Sequence, residues 1–118
     1  MKYIVYQTTS KVNNKIYIGV HKTENPDVFD GYLGNGVYIY RPSSYMHPKT
    51  HFQSAVKKYG IKNFIRTTLK VFDNEEDAYK LESELVNEEF LKKDDTYNLI
   101  LGGRDISQFM VKVYMYDL

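Results

Sequence analysis

The chain has 118 residues, enough for one compact domain and not two. It has no cysteine, which excludes disulfides, a thiol nucleophile and thiolate-bound zinc. No apolar run is long enough to span a bilayer, and the N-terminus enters a strand pattern without a secretion signal. A soluble, cytoplasmic protein is therefore expected. Net charge is only +1 but unevenly spread: residues 1–72 hold eleven Lys or Arg and three acids, net +8, whereas residues 73–95 hold three Lys and ten acids, net −7. That pattern suits a polyanion-binding surface beside a separate carboxylate cluster, although a well-solvated acidic helix accounts for it equally.

Residues 3–8 and 16–20 are rich in β-branched and aromatic side chains and flank Ser10-Lys11-Val12-Asn13-Asn14-Lys15. Asn-Asn tolerates the positive φ of a hairpin turn. Alternation puts Ile4, Tyr6 and Thr8 on one face and Tyr3, Val5 and Gln7 on the other, while Tyr17 and Gly19 share a face. The hairpin should bring Tyr6 and Tyr17 onto one surface, beside a glycine that admits close approach. Residues 21–36 carry three glycines and a proline and predict a loop. Gly31, Gly34 and Gly36 lack the βαβ context of a dinucleotide fingerprint. They read as a turn cluster, with backbone amides turned toward phosphate as the functional alternative.

Residues 37–40 form a short apolar run, ended by the segment from Arg41 to Pro48. A helix is predicted over 49–59, with Phe52, Ala55, Val56 and Tyr59 on one face. Lys57, Lys58 and Lys62 complement its dipole or contact phosphate, and Gly60 is placed to cap it. Residues 63–72 predict a strand, with Ile65, Thr67, Leu69 and Val71 toward the core. Asp73 or Asn74 caps the next helix, whose first turn holds Glu75, Glu76 and Asp77. Its stripe is Ala78, Leu81, Leu85 and Val86, ending at Phe90 or Leu91, with Glu82 at the stripe's edge. A short strand is expected over 97–101. The expected fold is α+β: a small, mostly antiparallel three-stranded sheet with the hairpin at its centre, flanked by helices. Residues 1–103 form the predicted domain. Residues 104–118 form an extension whose run from Val111 weakly resembles the opening of DNA-binding repeats in longer phage nucleases.

Ile4-Val5-Tyr6 and Tyr17-Ile18-Gly19, followed in order by Glu82-Ser83-Glu84-Leu85-Val86 and Tyr97-Asn98, resemble the motifs of the GIY-YIG nuclease family. The resemblance covers roughly residues 3–103. It implies an endonuclease of the phage homing type that hydrolyses double-stranded DNA with Mg²⁺ (or Mn²⁺). It places Tyr6, Tyr17, Glu82 and Asn98 in the active site and makes Glu82 the metal ligand. Glu84 would project from a different side of the helix. The sequence departs from the pattern at Ile4, where the family has glycine, and at Asp27, near where it has a phosphate-binding arginine. His21, Lys22 and Arg41 are substitutes by chemistry. The candidate DNA contacts are Gly19, Lys22, His47, Lys57 and Lys58, while His51 is expected to cap or pack on its helix.

Phosphodiester cleavage needs an activated water, neutralised phosphoryl oxygens and help for the leaving oxygen. Mg²⁺ keeps several waters and commonly uses one or two carboxylates, so one glutamate suffices. A tyrosine with a reference pKa near 10 is a poor base unless cations favour its phenolate. By resemblance Tyr6 is the base and Tyr17 orients water or phosphate. Two alternatives remain open to the sequence: a DNA-binding domain without activity, and a tyrosine-rich protein-interaction module. Oligomeric state is not legible.

Overall fold

The computed structural model describes residues 1–103, so the extension from 104 lies outside the described residues. The chain runs β1 (Lys2–Ser10), β2 (Ile16–Thr23), β3 (Tyr32–Gly34), β4 (Val37–Tyr38), α1 (His51–Tyr59), β5 (Phe64–Phe72), α2 (Glu75–Leu85) and α3 (Glu88–Leu91). The fold is α+β, with an antiparallel sheet ordered β2-β1-β5 and a separate β3-β4 hairpin. Only β1 is central; β2 lies at an edge, so the predicted hairpin contributes one central strand rather than two. Its turn contains Asn14 at φ 61°, the conformation that Asn tolerates.

The two faces of β1 feed two cores. Val5 packs with Ile18, Ala78, Val86 and Phe90 beneath α2 and α3. On the other face Phe64 joins Leu33, Val37, Phe52, Ala55, Val56 and Tyr97 under α1 and the β3-β4 hairpin. Asn74 accepts the Asp77 N–H and Gly60 leaves α1 at φ 88°, as their positions predict, whereas α1 starts at His51 rather than 49 because Thr50 caps it by accepting the Gln53 N–H.

Three expectations are corrected. In β5, Phe64 is buried and Arg66 half-buried, whereas Ile65, Leu69 and Val71 are 50, 43 and 42% exposed. Alternation separates two faces without saying which is covered, and β5 is an edge strand. A register shift also interrupts the alternation: Tyr6 pairs with Thr68 but Val5 pairs with Lys70. Second, residues 97–101 form no strand. One parallel bridge joins Ile16 to Thr96, and beyond it the Asn98 side chain pairs with β2, donating to Ile18 O (2.8 Å) and accepting its N–H (2.9 Å). Third, α2 stops at Leu85, and Asn87 caps a separate α3 by accepting the Phe90 N–H at 2.9 Å.

The β5 correction is testable. Ile65→Thr should shift stability by no more than about 0.5 kcal/mol, and Phe64→Ala should cost about 3–5 kcal/mol in urea unfolding. A loss above about 2 kcal/mol at Ile65 would return that side chain to the core.

Candidate active site

Tyr6 is 1% exposed in the central strand, opposite Gly19 of β2. A Cβ on Gly19 would meet the Tyr6 hydroxyl at 2.5 Å. Gly34, at φ +124°, approaches from the β3-β4 hairpin; a Cβ there would lie 2.8 Å from both Tyr6 Oη and the Tyr17 ring. The two glycines thus leave the space that the phenol fills. Two bonds pin the hairpin over the sheet: the buried Thr8 hydroxyl donates to Leu33 O, and Arg66 Nη1 donates to Tyr32 O at 2.9 Å. Tyr17 stands 6.3 Å from Tyr6 between ring centres and stacks on Phe52 at 5.0 Å. Tyr32 meets Tyr6 edge-on at 6.1 Å, and Tyr32 Oη accepts the Gly36 N–H at 3.1 Å.

Burial is the main reason both phenols hold their protons. Tyr6 is pushed well above its ordinary value by desolvation and by Tyr17, Tyr32 and Glu82; Tyr17 is pushed up by desolvation, Tyr32 and Glu82. The charge of Glu82, on α2, therefore acts on both tyrosines. Burial also raises Glu82, against the opposing bond from Gly103 N–H to Oε1 at 2.7 Å. Among the described residues, its second oxygen has no hydrogen-bond partner and is left for another ligand. No cluster of three His, Cys, Asp or Glu among the described residues is placed to hold a metal ion.

A cationic group borders the phenols. His21 stacks on Tyr32 at 4.3 Å and bonds through Nε2 to Asp30 Oδ2 at 2.6 Å. Asp30 Oδ1 accepts Arg66 Nη1 at 3.0 Å and the Tyr32 N–H at 3.2 Å. Burial works against the Asp30 charge, but the His21 bond, the Tyr32 N–H and the charges of His21 and Arg66 outweigh it, so its carboxyl lies below the ordinary value. The Arg66 guanidinium lies 4.8 Å from the Phe29 ring centre and 5.9 Å from that of Tyr6, and its side chain is only 3% exposed.

Tyr6, Tyr17, Gly19, His21 and Glu82 are thus brought together. Asn98 is 7% exposed, and its amide is committed to Ile18; it lines, with Tyr17, a cleft of about 170 Å³. Lys22 falls on the opposite face of β2 from His21, its ammonium over the Tyr3 ring. Arg41 stacks on Tyr38 at 4.9 Å and is exposed. His47, Lys57 and Lys58 are exposed; Lys58 lies over Tyr59 and lines a different hollow, with Lys15, His51 and Tyr97. His51 packs edge-on against Tyr97 at 5.0 Å. Tyr32, Asp30 and Arg66 escaped the sequence reading, and Gly34, read as part of a turn cluster, instead packs against Tyr6 and Tyr17. The one signal for Arg66 was an arginine on the same alternation as Phe64.

No family model matches the chain, and no solved structure matches it. Curated proteins do. The chain is similar to phage proteins named as endonucleases. It is 45% identical over 104 residues to "Putative endonuclease segD" of Enterobacteria phage T4, covering 88% of this chain and 40% of that protein. Identity is 47% over 103 residues to "Putative endonuclease segB", covering 87% and 40%, and 39% over 98 residues to "Endonuclease segA", covering 83% and 38%, both from the same phage. The chain spans about two fifths of the length of these relatives.

Gly19→Ala should cost roughly 1–3 kcal/mol of stability, recovered in part by Tyr6→Phe, which removes the nearest atom. A double-mutant cycle in urea reads the coupling; strict additivity would refute the contact. A second expectation concerns pH. An unfolded tyrosine ionises near 10, while burial keeps Tyr6 and Tyr17 protonated in the fold. The unfolded state therefore releases these protons first, and the stability due to them is retained below about pH 10 and falls above it. Urea midpoints should drop between about pH 9 and 11.5, less steeply in Tyr6→Phe; identical slopes would contradict the assignment.

Proposed function

We propose that the chain is a DNA endonuclease that hydrolyses phosphodiester bonds, of the GIY-YIG type, with one divalent cation, Mg²⁺ or Mn²⁺, bound at Glu82. The observation that carries the reading is the contact of Tyr6 and Tyr17, from β1 and β2, packed against Gly19 and Gly34, with Glu82 of α2 near enough for its charge to bear on both phenols. The similarity to phage proteins named as endonucleases supports the same reading.

The donor set fits such a cation. A single half-buried carboxylate, one of whose oxygens has no hydrogen-bond partner among the described residues, suits an ion that keeps water and takes its remaining ligands from a phosphate. When bound, the cation would activate water and neutralise charge on the phosphoryl group. The chain's own residues do the rest. Tyr6 would accept the water's proton as phenolate: positive charge gathering at the site opposes the burial that keeps the phenol neutral and favours loss of its own proton to solvent before the water is attacked. Tyr17, protonated at rest, donates to a phosphoryl oxygen. His21, held by Asp30, is the side chain placed to aid the leaving oxygen, and Arg66 supplies a fixed positive charge behind Tyr6. Asn98 holds the edge of β2 so that Tyr17 and Gly19 keep their places. Duplex DNA is the proposed substrate, bound with strong salt dependence.

The test is plasmid nicking by the full chain. Supercoiled DNA should be nicked with Mg²⁺ and left intact with EDTA. Glu82→Ala should slow the reaction by at least roughly a hundredfold. DNA binding without cutting would support an inactive binding domain, and an unchanged rate in Glu82→Ala would refute the metal assignment.

A further inference from the structure

A cavity of about 430 Å³ opens beside the proposed site and shares His21 and Asp30 with it. Its walls include the Tyr38 ring, His21, Asp30 and Val28, with Lys22 at the rim. One wall belongs to an aromatic cluster: His21 stacks on Tyr32 at 4.3 Å, while Tyr32 and Tyr38, and Tyr38 and Tyr40, meet at a tilt with centres 4.9 and 5.4 Å apart. Arg41 lies over Tyr38, so the ring that faces the cavity is backed by a cation and by two further rings. Tyr32 itself touches Tyr6, which places the cavity two ring contacts from the phenol proposed to take the water's proton.

The polar edge of this cavity has a definite character. Asp30 Oδ1 already accepts from Arg66 and from Tyr32 N–H, whereas Oδ2 accepts only from His21. A carboxylate offers about four acceptor positions, so one remains, and the Asp30 side chain, which lines the cavity, is 35% exposed. An aromatic wall and an open carboxylate acceptor form a set that matches a nucleobase: ring face and exocyclic amine.

Resting on the endonuclease reading, we infer that this cavity receives one unpaired DNA base next to the bond that is cut. The base stacks on Tyr38 and gives an amino hydrogen to Asp30 Oδ2. Adenine, cytosine and guanine carry such a group; thymine does not. The protein therefore works on DNA with a base out of its pair, either already unpaired or extruded on binding.

Equilibrium binding of the full chain in EDTA, at one fixed salt concentration, tests this with three duplexes: fully paired, with one unpaired cytosine, and with one unpaired thymine. Wild-type protein should bind the unpaired-cytosine duplex roughly tenfold more tightly than the paired one, an effect of the size of a single base–aromatic stack. The thymine duplex should fall between them. Tyr38→Ala should lose the preference while its affinity for paired duplex stays within about twofold, and Tyr38→Phe, which keeps the ring, should retain it. Asp30→Asn should remove the difference between cytosine and thymine. Equal wild-type affinity for all three duplexes, with nicking intact, would overturn the base site alone. A preference that survives in Tyr38→Ala would overturn it too, and failure to bind any duplex would overturn the endonuclease reading along with it.

Discussion

The arrangement depends on one steric fact: the Tyr6 phenol occupies space that exists only because Gly19 and Gly34 have no side chains. The first glycine is its neighbour across the β1-β2 ladder, and the second comes from a different hairpin. Tyr6 therefore does more than fill a core. It sets how closely β3 can approach the sheet, and that approach brings Tyr32 to its edge and Gly34 against Tyr17. The edge-on contact of Tyr6 with Tyr32 ties the two hairpins together.

The same burial shapes the electrostatics. Tyr6 and Tyr17 are held neutral, so at rest they present protons rather than negative charge. The His21 ring and the Arg66 charge nearby are themselves restrained. Asp30 binds His21 with one oxygen and Arg66 with the other, joining β2, the loop before β3 and β5 at a single carboxylate. A site built this way keeps its cations oriented before any polyanion arrives, and it leaves Glu82 as the half-buried acid whose charge reaches both phenols. Oriented charge that need not reorganise during a reaction is the most effective kind of electrostatic help.

Much of this was legible because it is local. The hairpin, its Asn turn, both capped helices and the shared face of Tyr6 and Tyr17 follow from propensity and alternation over a few residues. The features that were not legible are long-range. Strands β3 and β4 have three and two residues, too few for any periodic pattern. Asp30 meets Arg66 across 36 positions, and no local signal marks that pairing. The facing of β5 was misread because an exposed edge strand carries apolar residues on its open face, and a register shift changes its alternation midway. The segment after α3 looked like a strand. Instead one side-chain amide, Asn98, completes the edge of β2.

The central claim is that a cation held by Glu82 shares one site with Tyr6 and Tyr17. Paramagnetic broadening by Mn²⁺, followed by NMR on protein labelled at tyrosine ring carbons, measures this directly. On stepwise addition of Mn²⁺ the signals of Tyr6 and Tyr17 should broaden first among the twelve tyrosines, and Glu82→Gln should abolish the effect. Broadening that begins at other tyrosines, or that persists unchanged in Glu82→Gln, would contradict the account.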